Sequence, residues 1–383
     1  MVIFATAILA LAVLASLQVF AGMARLKRLA DLPASLPASP PKVSIVIPAC
    51  NEAATIEAAM ASILQIDYPE LEIIAINDRS SDETLTILNR LASRDARLRV
   101  CSIDRLPDRW LGKCHAMEVG RQYAQGTYLL FTDADVHLAG NALRRAVSYM
   151  EARCLDHLVA APQLHAPTLG LKLFLPMYLL GFYAGFKPWL AADPNSKAFV
   201  GFGAFNLVRA ETCRESNALA QIALCPDEDL KLGKVLKAHG AKQEALVGVG
   251  AVAVEWYDSL PAMIKGLEKN TFAIYDYSLA QVCGASVLLC LFYLLPAIAL
   301  LLTGGIPFYL CAALYGVNVA TVAGVTCQHD PTARRAYALL YPISAAVLLF
   351  MLWNSALSVL RHQGITWRGT YYPIALLKSG RRY

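Results

Sequence analysis

Several chemical signatures are scarce in this chain of 383 residues, and each shortage excludes a class of protein. The ten cysteines form no Cys-x-x-Cys pair and the seven histidines form no cluster, so neither a zinc site nor a disulfide framework is predicted. Charged residues make up only 16%, against about 25% in soluble domains, and 57% are hydrophobic, so part of the chain belongs in a membrane. The net charge of +5 is modest, and basic residues lie beside apolar segments, which favours an anionic membrane surface over nucleic acid.

The N-terminus has the length and composition of a transmembrane anchor, which we assign to residues 1–22. Val2–Phe20 carries no charge and, at about 1.5 Å per helical residue, can cross a hydrocarbon core of about 30 Å. Basic residues follow this segment, whereas a cleaved signal peptide carries them before its apolar core. They are Arg25, Lys27 and Arg28. The positive-inside tendency then predicts that the following chain is cytoplasmic, in a protein of the cell inner membrane, and residues 23–42 form a proline-rich linker.

Between residues 43 and 278, apolar strand segments alternate with helical patterns, which predicts an α/β domain with a mostly parallel sheet. The predicted strands are Val43–Ile47, Leu71–Ile76, Leu98–Ile103 and Tyr128–Phe131. Tyr128–Phe131 has no polar alternation, as expected of a strand covered on both faces, and Leu71–Ile76 is nearly all apolar. Asn51 is in position to cap the helix after the first strand, and Ser80 and Glu83 have the spacing of a capping box before the next helix.

Acidic residues appear where two of these strands end. Thr132–Asp135 contains two carboxylates separated by one residue, and open α/β folds bind their ligands at this end of the strands. Hard oxygen ligands suit Mg²⁺ or Mn²⁺, although a solvated acidic turn is the alternative reading. Asp78 and Asp82 follow the second strand, where turn and cap positions are again the alternative. Lys113 begins a helix beside a glycine, and is either a phosphate contact or a solvated lysine.

Taken in order, these motifs resemble those of family 2 glycosyltransferases. The matching segments are Val43–Glu52, Asn77–Asp82, Gly112–Lys113 and Thr132–Asp135. The resemblance implies a nucleotide-diphospho-sugar transferase domain of the type A glycosyltransferase fold that transfers one sugar with inversion. It implies donor binding by Pro48, Asn51, Glu52, Asp78, Lys113 and Asp133, with Asp78 near the uracil, and a metal, Mg²⁺ or Mn²⁺, on Asp135 and Asp133. Asn77 stands where the family often has aspartate, which leaves the nucleotide preference open.

The family also implies a downstream acid, for which Cys225–Leu230 offers candidates. Inverting transfer needs a base that takes the proton of the acceptor hydroxyl as it attacks the sugar. Asp227 suits the cap of the helix that follows, and Asp229 then lies in its first turn, where the helix dipole favours the charged form. We therefore predict Asp229 as the catalytic base, the alternative being that these acids only favour the helix start.

Two apolar segments of this domain, near residues 169–189 and 259–277, are predicted to be interfacial helices. A single crossing at Leu169–Trp189 would place Asp135 and Asp229 on opposite sides of the membrane, so a span there is rejected. Its aromatic stripe is typical either of core packing or of a helix lying in the bilayer interface, and Pro176 is expected to break or kink it. The glycine-rich stretch Ala198–Leu207 is predicted to form a strand pair beneath the acceptor site.

Residues 279–360 contain three further apolar segments, and residues 361–383 form a basic tail. The segments are Val282–Leu302, Ile306–Val325 and Ala336–Leu360, separated by Gly304-Gly305 and by His329-Asp330-Pro331 with Arg334 and Arg335. Three crossings would leave the tail outside, whereas its basic residues favour the cytoplasm, so one segment is predicted to be re-entrant or interfacial. The basic residues are Arg361, Arg368, Lys378, Arg381 and Arg382. Thr366–Tyr372 resembles the ending of membrane glycosyltransferases that act on carotenoids and hopanoid-like lipids.

The sequence thus predicts a membrane-anchored, metal-dependent, inverting glycosyltransferase that moves a sugar from a nucleotide donor, a UDP-sugar, to a hydroxyl of a lipid or other apolar acceptor. One alternative is a glycosyltransferase of polysaccharide or cell-envelope glycan, although the (Gln/Arg)-x-x-Arg-Trp motif of processive synthases is missing after the base. The other alternative is a catalytically silent membrane scaffold that keeps the nucleotide fold. A transporter does not explain the α/β pattern, and fold alone cannot choose the acceptor.

Overall fold

A computed structural model of the protein describes residues 2–330 and 333–380, so Pro331, Arg381 and Arg382 lie outside the described residues. The chain forms two compact units. The helical unit comprises Met1–Arg25, Ala166–Lys187 and Tyr257–Ile365. The sheet unit comprises Leu26–His165, Pro188–Trp256 and Thr366–Tyr383. Each unit is therefore built from segments that are distant in the sequence.

The strands of the chain form two sheets and a hairpin. In chain order they are β1 Val43–Ala49, β2 Leu71–Asp78, β3 Leu98–Ile103, β4 Tyr128–Phe131, β5 Val136–Leu138, β6 His157–Ala161, β7 Gln163–Leu164, β8 Asn206–Arg209, β9 Gln243–Val247, β10 Val252–Val254, β11 Gly364–Trp367 and β12 Thr370–Pro373. The main sheet has the order β3-β2-β1-β4-β8-β6-β9, the small sheet has the order β5-β10-β7, and β11 pairs with β12. Only β8 is antiparallel to its neighbours in the main sheet, which confirms the predicted mostly parallel sheet.

Helices occur in both units and make up most of the helical unit. In chain order they are α1 Val2–Met23, α2 Ile56–Leu64, α3 Thr84–Ala92, α4 Gly112–Tyr123, α5 Ala142–Arg153, α6 Leu169–Phe186, α7 Ala210–Glu215, α8 Ala218–Gln221, α9 Glu228–Ala238, α10 Leu260–Ile274, α11 Leu279–Leu289, α12 Leu295–Leu302, α13 Gly305–His329, α14 Tyr341–Arg361 and α15 Ile374–Ser379. A π-helical turn, Cys290–Leu294, joins α11 to α12.

The centre of the main sheet is covered on both faces, which explains why β1 and β4 are almost entirely apolar. Every residue of β1 is buried. Ile45 and Ile47 pack with residues of α2 and α5 on one face, and Val46 packs with Met117 of α4 and Val235 of α9 on the other. Because β1 and β4 are parallel neighbours, their carboxyl ends open at the same edge of the sheet.

Two predicted helix caps are wrong because their side chains bind another loop. The side-chain oxygen of Asn51 accepts a hydrogen bond from the backbone N–H of Ser81, at 2.8 Å, and does not cap α2. The predicted capping box of Ser80 and Glu83 is absent because α3 begins one residue after Glu83. The carboxylate of Asp82 accepts the backbone N–H of the first residue of α3, at 3.0 Å. The loops after β1 and β2 are thereby fixed to each other.

The predicted strand pair within Ala198–Leu207 is also wrong, since only the end of that stretch enters β8. The backbone before β8 makes its hydrogen bonds to side chains and to the loop after β4. The N–H of Val200, for example, donates to Gln243 at 2.9 Å. The stretch is therefore a structured loop.

The helical unit contains the apolar helices. Among residues 2–330 and 333–380, five helices are long and apolar enough to cross a membrane: Val2–Met23, Leu169–Leu190, Leu279–Leu302, Gly305–His329 and Arg335–Arg361. Pro176 does not break α6, which is continuous through it. Length and composition do not decide whether a helix spans or lies in the interface, so the interfacial placement of residues 169–189 stays a prediction.

Candidate active site

A pocket opens at the carboxyl edge of the main sheet. Residues from the ends of β1 and β4, the first turns of α4 and α9, and the glycine-rich loop before β8 form its walls. They are Pro48, Lys113, Met117, Phe131, Thr132, Asp133, Gly203, Asn206, Glu228 and Asp229. Four of the predicted site residues, namely Pro48, Lys113, Asp133 and Asp229, thus line one pocket.

Lys113 connects the acidic groups of this pocket. Its ammonium group lies 2.5 Å from a carboxylate oxygen of Asp133 and 2.5 Å from one of Glu228. Burial opposes the charge on Lys113, but the neighbouring carboxylates outweigh burial and raise its pKa well above the ordinary value. Lys113 therefore remains a cation, held at the start of α4 between two walls of the pocket.

Gly203 joins the acidic loop after β4 to the start of α9. Its N–H donates to the side-chain Oδ2 of Asp229, at 2.8 Å, and its carbonyl accepts the N–H of Asp133, at 3.1 Å. A Cβ atom on Gly203 would lie 2.5 Å from Oδ2 of Asp133. One residue without a side chain therefore sets the separation between Asp133 and Asp229.

Asp229 has the protonation properties required of a base. It lies in the first turn of α9, as predicted, and its Oδ1 accepts the N–H of Leu230 at 2.7 Å. Burial, and next the charge of Glu228, raise its pKa from 3.8 to about 7. A carboxylate with a pKa near neutrality can accept a proton in the transition state and release it afterwards.

A buried polar chain supports the backbone beneath Asp229. Gln243 donates through Nε2 to Nδ1 of His157, at 2.6 Å, and Nε2 of His157 donates to the side-chain oxygen of Asn206. The amide of Asn206 then donates to the backbone carbonyl of Asp229, at 3.4 Å. Burial lowers the pKa of His157 to about 4, so its ring is neutral and keeps this direction of hydrogen bonding.

The donor set around Asp135 suits a divalent cation. Burial raises the pKa of Asp135 to about 7, and the negative charges of Asp133 and Glu52 add to the effect. Among the residues that the structure describes, no three His, Cys, Asp or Glu side chains converge as a complete metal site. Mg²⁺ is commonly held by one or two carboxylates together with substrate phosphates, so Asp133 and Asp135 fit a metal that arrives with a phosphorylated donor.

Three predicted donor residues lie outside the pocket wall, and each is held by its own partner. Asp78 is 2% exposed and forms an ion pair with Nε of Arg79 at 2.7 Å. Asn51 has a left-handed backbone, with φ of 56°, in the loop after β1. Glu52 forms an ion pair with Arg368 of the C-terminal hairpin, at 2.8 Å.

Three residues that the structure places at this site or against its loops are not among the site residues predicted from the sequence. Glu228 was grouped with the acids at the start of α9, and adjacency to Asp229 was its only signal. Gly203 was one glycine among several, and Arg368 belonged to the basic tail. Arg368 is 316 residues from its partner Glu52 along the chain, so no local pattern could connect them.

Comparison with known proteins identifies the family of this domain. Residues 44–206 match the family described as glycosyl transferase family 2. An uncharacterized glycosyltransferase of Haemophilus influenzae is 28% identical over 110 residues, which is 29% of this chain and 42% of that protein. A 4,4'-diaponeurosporenoate glycosyltransferase of Staphylococcus haemolyticus is 24% identical over 234 residues, 60% of each chain. The matched segments thus span less than two thirds of the length of both relatives.

A solved structure with a similar fold is a mannosyltransferase from Pyrobaculum calidifontis in complex with GDP-Man and Mn²⁺. The similarity has a TM-score of 0.51 at 19% sequence identity, and it covers 94% of this chain and 98% of that one. It agrees with the mostly parallel order of the main sheet. Residues 44–206 of this chain therefore match glycosyl transferase family 2, and the sheet unit has the type A glycosyltransferase fold.

Proposed function

We propose that the protein is an inverting, metal-dependent glycosyltransferase that moves a sugar from a nucleoside-diphosphate donor, a UDP-sugar, to a hydroxyl of a lipid or other apolar acceptor at the membrane. The observation that carries this proposal is the bridge at Gly203. It holds Asp133, the first acid of the Asp-x-Asp motif, and Asp229 against the backbone of the same residue. A donor-binding acid and a base thereby face one pocket.

The reaction follows from this arrangement. The oxygen of the acceptor hydroxyl attacks C1 of the sugar, and the bond from C1 to the diphosphate oxygen breaks on the opposite face. The electron pair leaves with the nucleoside diphosphate, and the hydroxyl proton passes to the carboxylate of Asp229. The raised pKa of Asp229 favours this proton transfer near neutral pH.

The donor side of the pocket carries the groups that neutralise the leaving diphosphate. Lys113 is a fixed cation at the N-terminus of α4, where backbone N–H groups also favour an anion. Asp133 and Asp135 would hold Mg²⁺ or Mn²⁺, which when bound supplies further positive charge for the leaving group. The Pyrobaculum enzyme, solved with GDP-Man and Mn²⁺, supports a nucleotide-sugar donor and a divalent metal.

The path of the chain supports a membrane protein whose sheet unit lies on one side of the bilayer. Strands before and after α6 share the main sheet, since β6 pairs with β8 and β9. A single crossing by α6 would separate these strands, so α6 does not cross and lies in the interface. The tail from Thr366 also belongs to the sheet unit. The segment between residues 257 and 365 must therefore cross an even number of times.

We assign the two crossings of that segment to α11–α12 and to α13, with α14 in the interface. Within the helical unit α14 packs along α6 and α10, and Oγ of Ser344 donates to the carbonyl of Leu173 on α6, at 2.9 Å. The carboxylate of Glu268, on α10, accepts hydrogen bonds from Asn354 and Ser358 of α14. A carboxylate is costly in the hydrocarbon core, so its contacts favour a position at the interface.

With α1 as an anchor, this assignment places the sheet unit and the basic tail together in the cytoplasm, as the positive-inside tendency requires. Among the described residues, five helices are apolar and long enough to cross a membrane, and this assignment places three of them across the bilayer and two in its interface. Such an arrangement favours an acceptor that resides in the bilayer. The name of the Staphylococcus relative, which gives 4,4'-diaponeurosporenoate as its substrate, supports an apolar acceptor. A glycosyltransferase of cell-envelope glycan is the second candidate, favoured only by the breadth of the family.

The full chain, purified in detergent, tests the function with a panel of UDP-, GDP- and dTDP-sugars and a membrane lipid extract. We expect release of a nucleoside diphosphate and formation of a glycolipid with Mn²⁺ or Mg²⁺, and loss of both products with EDTA. Transfer to a soluble oligosaccharide instead of a lipid would favour the glycan candidate. Failure to bind or turn over any donor would favour a catalytically silent scaffold.

A further inference from the structure

The C-terminal hairpin reaches the donor side of the sheet unit through an unusual turn. Arg368 and Gly369 join β11 to β12 with φ of 48° and 78°. Positive φ at both central residues is what a type I′ turn requires, and the twist of that turn matches that of the paired strands. Glycine adopts this conformation without strain, whereas arginine does so at a conformational cost. A strained non-glycine residue at such a turn indicates that its side chain has a task.

The side chain of Arg368 turns inward although the turn itself is exposed. Its Nη1 donates to the carbonyl of Cys50, at 2.9 Å, and its Nη2 to the carboxylate of Glu52, at 2.8 Å. The side chain is 29% exposed and that of Glu52 is 26% exposed. Both partners belong to the loop after β1, inside the donor motif recognised in the sequence.

The charges around this ion pair belong to the two ends of the donor site. Arg368 interacts electrostatically with Asp78 as well as with Glu52. Glu52 in turn interacts with Asp133 and Lys113. The guanidinium group of Arg368 therefore lies within electrostatic range of Asp78, and its partner Glu52 lies within that range of Asp133 and Lys113, all of which are predicted to bind the donor.

A purely structural role is the simpler explanation of the pair, but the tail has other attachments. Arg109 donates to Oγ of Ser379 on α15, at 3.2 Å, and Gly380 lies against the side chain of Leu224. Partly exposed ion pairs contribute little to stability, and a pair alone gives no reason for a left-handed arginine. The fork of a guanidinium group matches two phosphate oxygens better than one carboxylate oxygen and one carbonyl.

We propose that Arg368 is a donor-binding residue, whose guanidinium group exchanges the Glu52 carboxylate for the diphosphate of the nucleotide-sugar, so that the C-terminal hairpin closes over the bound donor. This inference rests on the proposed function. It makes the tail part of the active site, and it adds a second protein cation, besides Lys113, for the charge that develops on the leaving diphosphate.

Calorimetric titration of the full chain in detergent with UDP and Mn²⁺ tests the proposal. We expect Arg368→Ala to weaken UDP binding by about 10- to 100-fold, since a charge-assisted bidentate contact is lost. Arg368→Lys keeps the charge but not the fork, and should bind with intermediate affinity. The matched control is Arg94→Ala, an exposed arginine of the same unit, which should bind UDP as the wild type does.

The outcomes separate this proposal from the function on which it rests. If the wild type binds no nucleoside diphosphate with Mn²⁺ or Mg²⁺, the proposed function fails. If the wild type binds UDP and both Arg368 variants bind equally well, only the role of Arg368 is refuted.

Hydrogen exchange of the wild type covers the case in which a variant does not fold. Exchange within residues 364–373 should slow when UDP and Mn²⁺ are added, because the hairpin closes over the donor. Unchanged exchange at a concentration of UDP that saturates the protein would overturn the proposal.

Discussion

The Asp229→Asn variant tests the catalytic role of the proposed base separately from its contribution to the stability of the fold. Both carboxylate oxygens of Asp229 accept backbone N–H groups, from Gly203 at 2.8 Å and from Leu230 at 2.7 Å. An amide retains one of these bonds and turns its NH₂ group toward the other donor. It also cannot accept the proton of the acceptor hydroxyl. We therefore expect kcat to fall by about 10²- to 10⁴-fold, the range attributed to general base catalysis.

The same substitution changes how stability depends on pH. The folded-state pKa of about 7 lies above the ordinary value of 3.8, so between these values the folded protein holds a proton that the unfolded chain has released. Stability due to this group is therefore greatest below about pH 4 and falls as pH rises to 7. At about 1.36 kcal/mol per pKa unit, a shift of about 3 units corresponds to about 4 kcal/mol, taken as an upper figure.

Asn has no such titration, so the variant should lose less stability than the wild type between pH 5 and pH 8. The mispaired backbone N–H costs about 1–3 kcal/mol at every pH, so the variant is expected to be the less stable protein at pH 5. The comparison is made by chemical unfolding of the detergent-solubilised chain at several pH values. Asp67→Asn is the matched control, because the Asp67 carboxylate is 74% exposed and lies outside the pocket.

Activity of the wild type should rise with pH through an apparent pKa near 7, because only the ionised carboxylate is a base. The residual activity of Asp229→Asn should lack that step, while its affinity for UDP stays within a few-fold of the wild type. A variant with kcat within about threefold of the wild type, or with the same pH profile, would remove Asp229 from the role of base.

Three further predictions concern other parts of the molecule. Gly203→Ala should leave the fold intact but raise the KM for donor and metal, since the added Cβ displaces the Asp133 carboxylate. Donor titrations at fixed Mn²⁺ measure the change in KM, and an unchanged KM would contradict the prediction. Lys113→Met should abolish transfer and lower the free energy of unfolding by about 3–5 kcal/mol, because it leaves the buried Glu228 without its cation. An unfolding curve like that of the wild type would disprove the ion pair between Lys113 and Glu228. A reporter at the C-terminus should be cytoplasmic, and a reporter in the loop between α12 and α13 should lie on the opposite side of the membrane. A C-terminal reporter outside the cytoplasm would refute the two-crossing assignment.

Much of the fold is predictable from local sequence pattern. The strand Tyr128–Phe131, buried on both faces, begins and ends where its apolar run predicts, and the edge strand Leu98–Ile103 also has its predicted bounds. The start of α4 at Gly112 and the place of Asp229 in the first turn of α9 follow from the same local rules. Local periodicity therefore located the elements that carry the pocket.

The wrong predictions share a physical cause, which is competition from tertiary hydrogen bonds. Asn51 has the side chain of a helix cap but binds the loop after β2, and Oγ of Ser80 accepts the N–H of Asn51 instead of capping α3. Asp82 binds the first N–H of α3 and also the N–H of Ala53 in the loop after β1, which draws the two loops together. The glycine loop looked like a strand pair because it is apolar. Its backbone groups, however, are satisfied by Asp133, Asp229 and Gln243. Such partners are distant in sequence, so no local pattern reveals them.

In the proposed mechanism, donor binding, metal binding and the position of the C-terminal hairpin depend on one another, and the charges of the site explain why. Arg79 pairs with Asp78, Arg368 with Glu52, and Lys113 is shared by Asp133 and Glu228. Among the described residues, neither Asp135 nor Asp229 has an ion-pair partner, and burial raises the pKa of both to about 7.

A diphosphate entering this pocket adds negative charge to a site that already carries an excess of it. Its affinity should therefore depend on a divalent cation at Asp133 and Asp135, and on Arg368 leaving Glu52 to meet the phosphates. The two contributions are expected to be interdependent, since each reduces the repulsion that the other must overcome. Arg368→Ala should consequently weaken UDP binding more in EDTA than in the presence of Mn²⁺, because without the metal Arg368 must offset more of the repulsion, and an equal loss under both conditions would show that the two cations act independently.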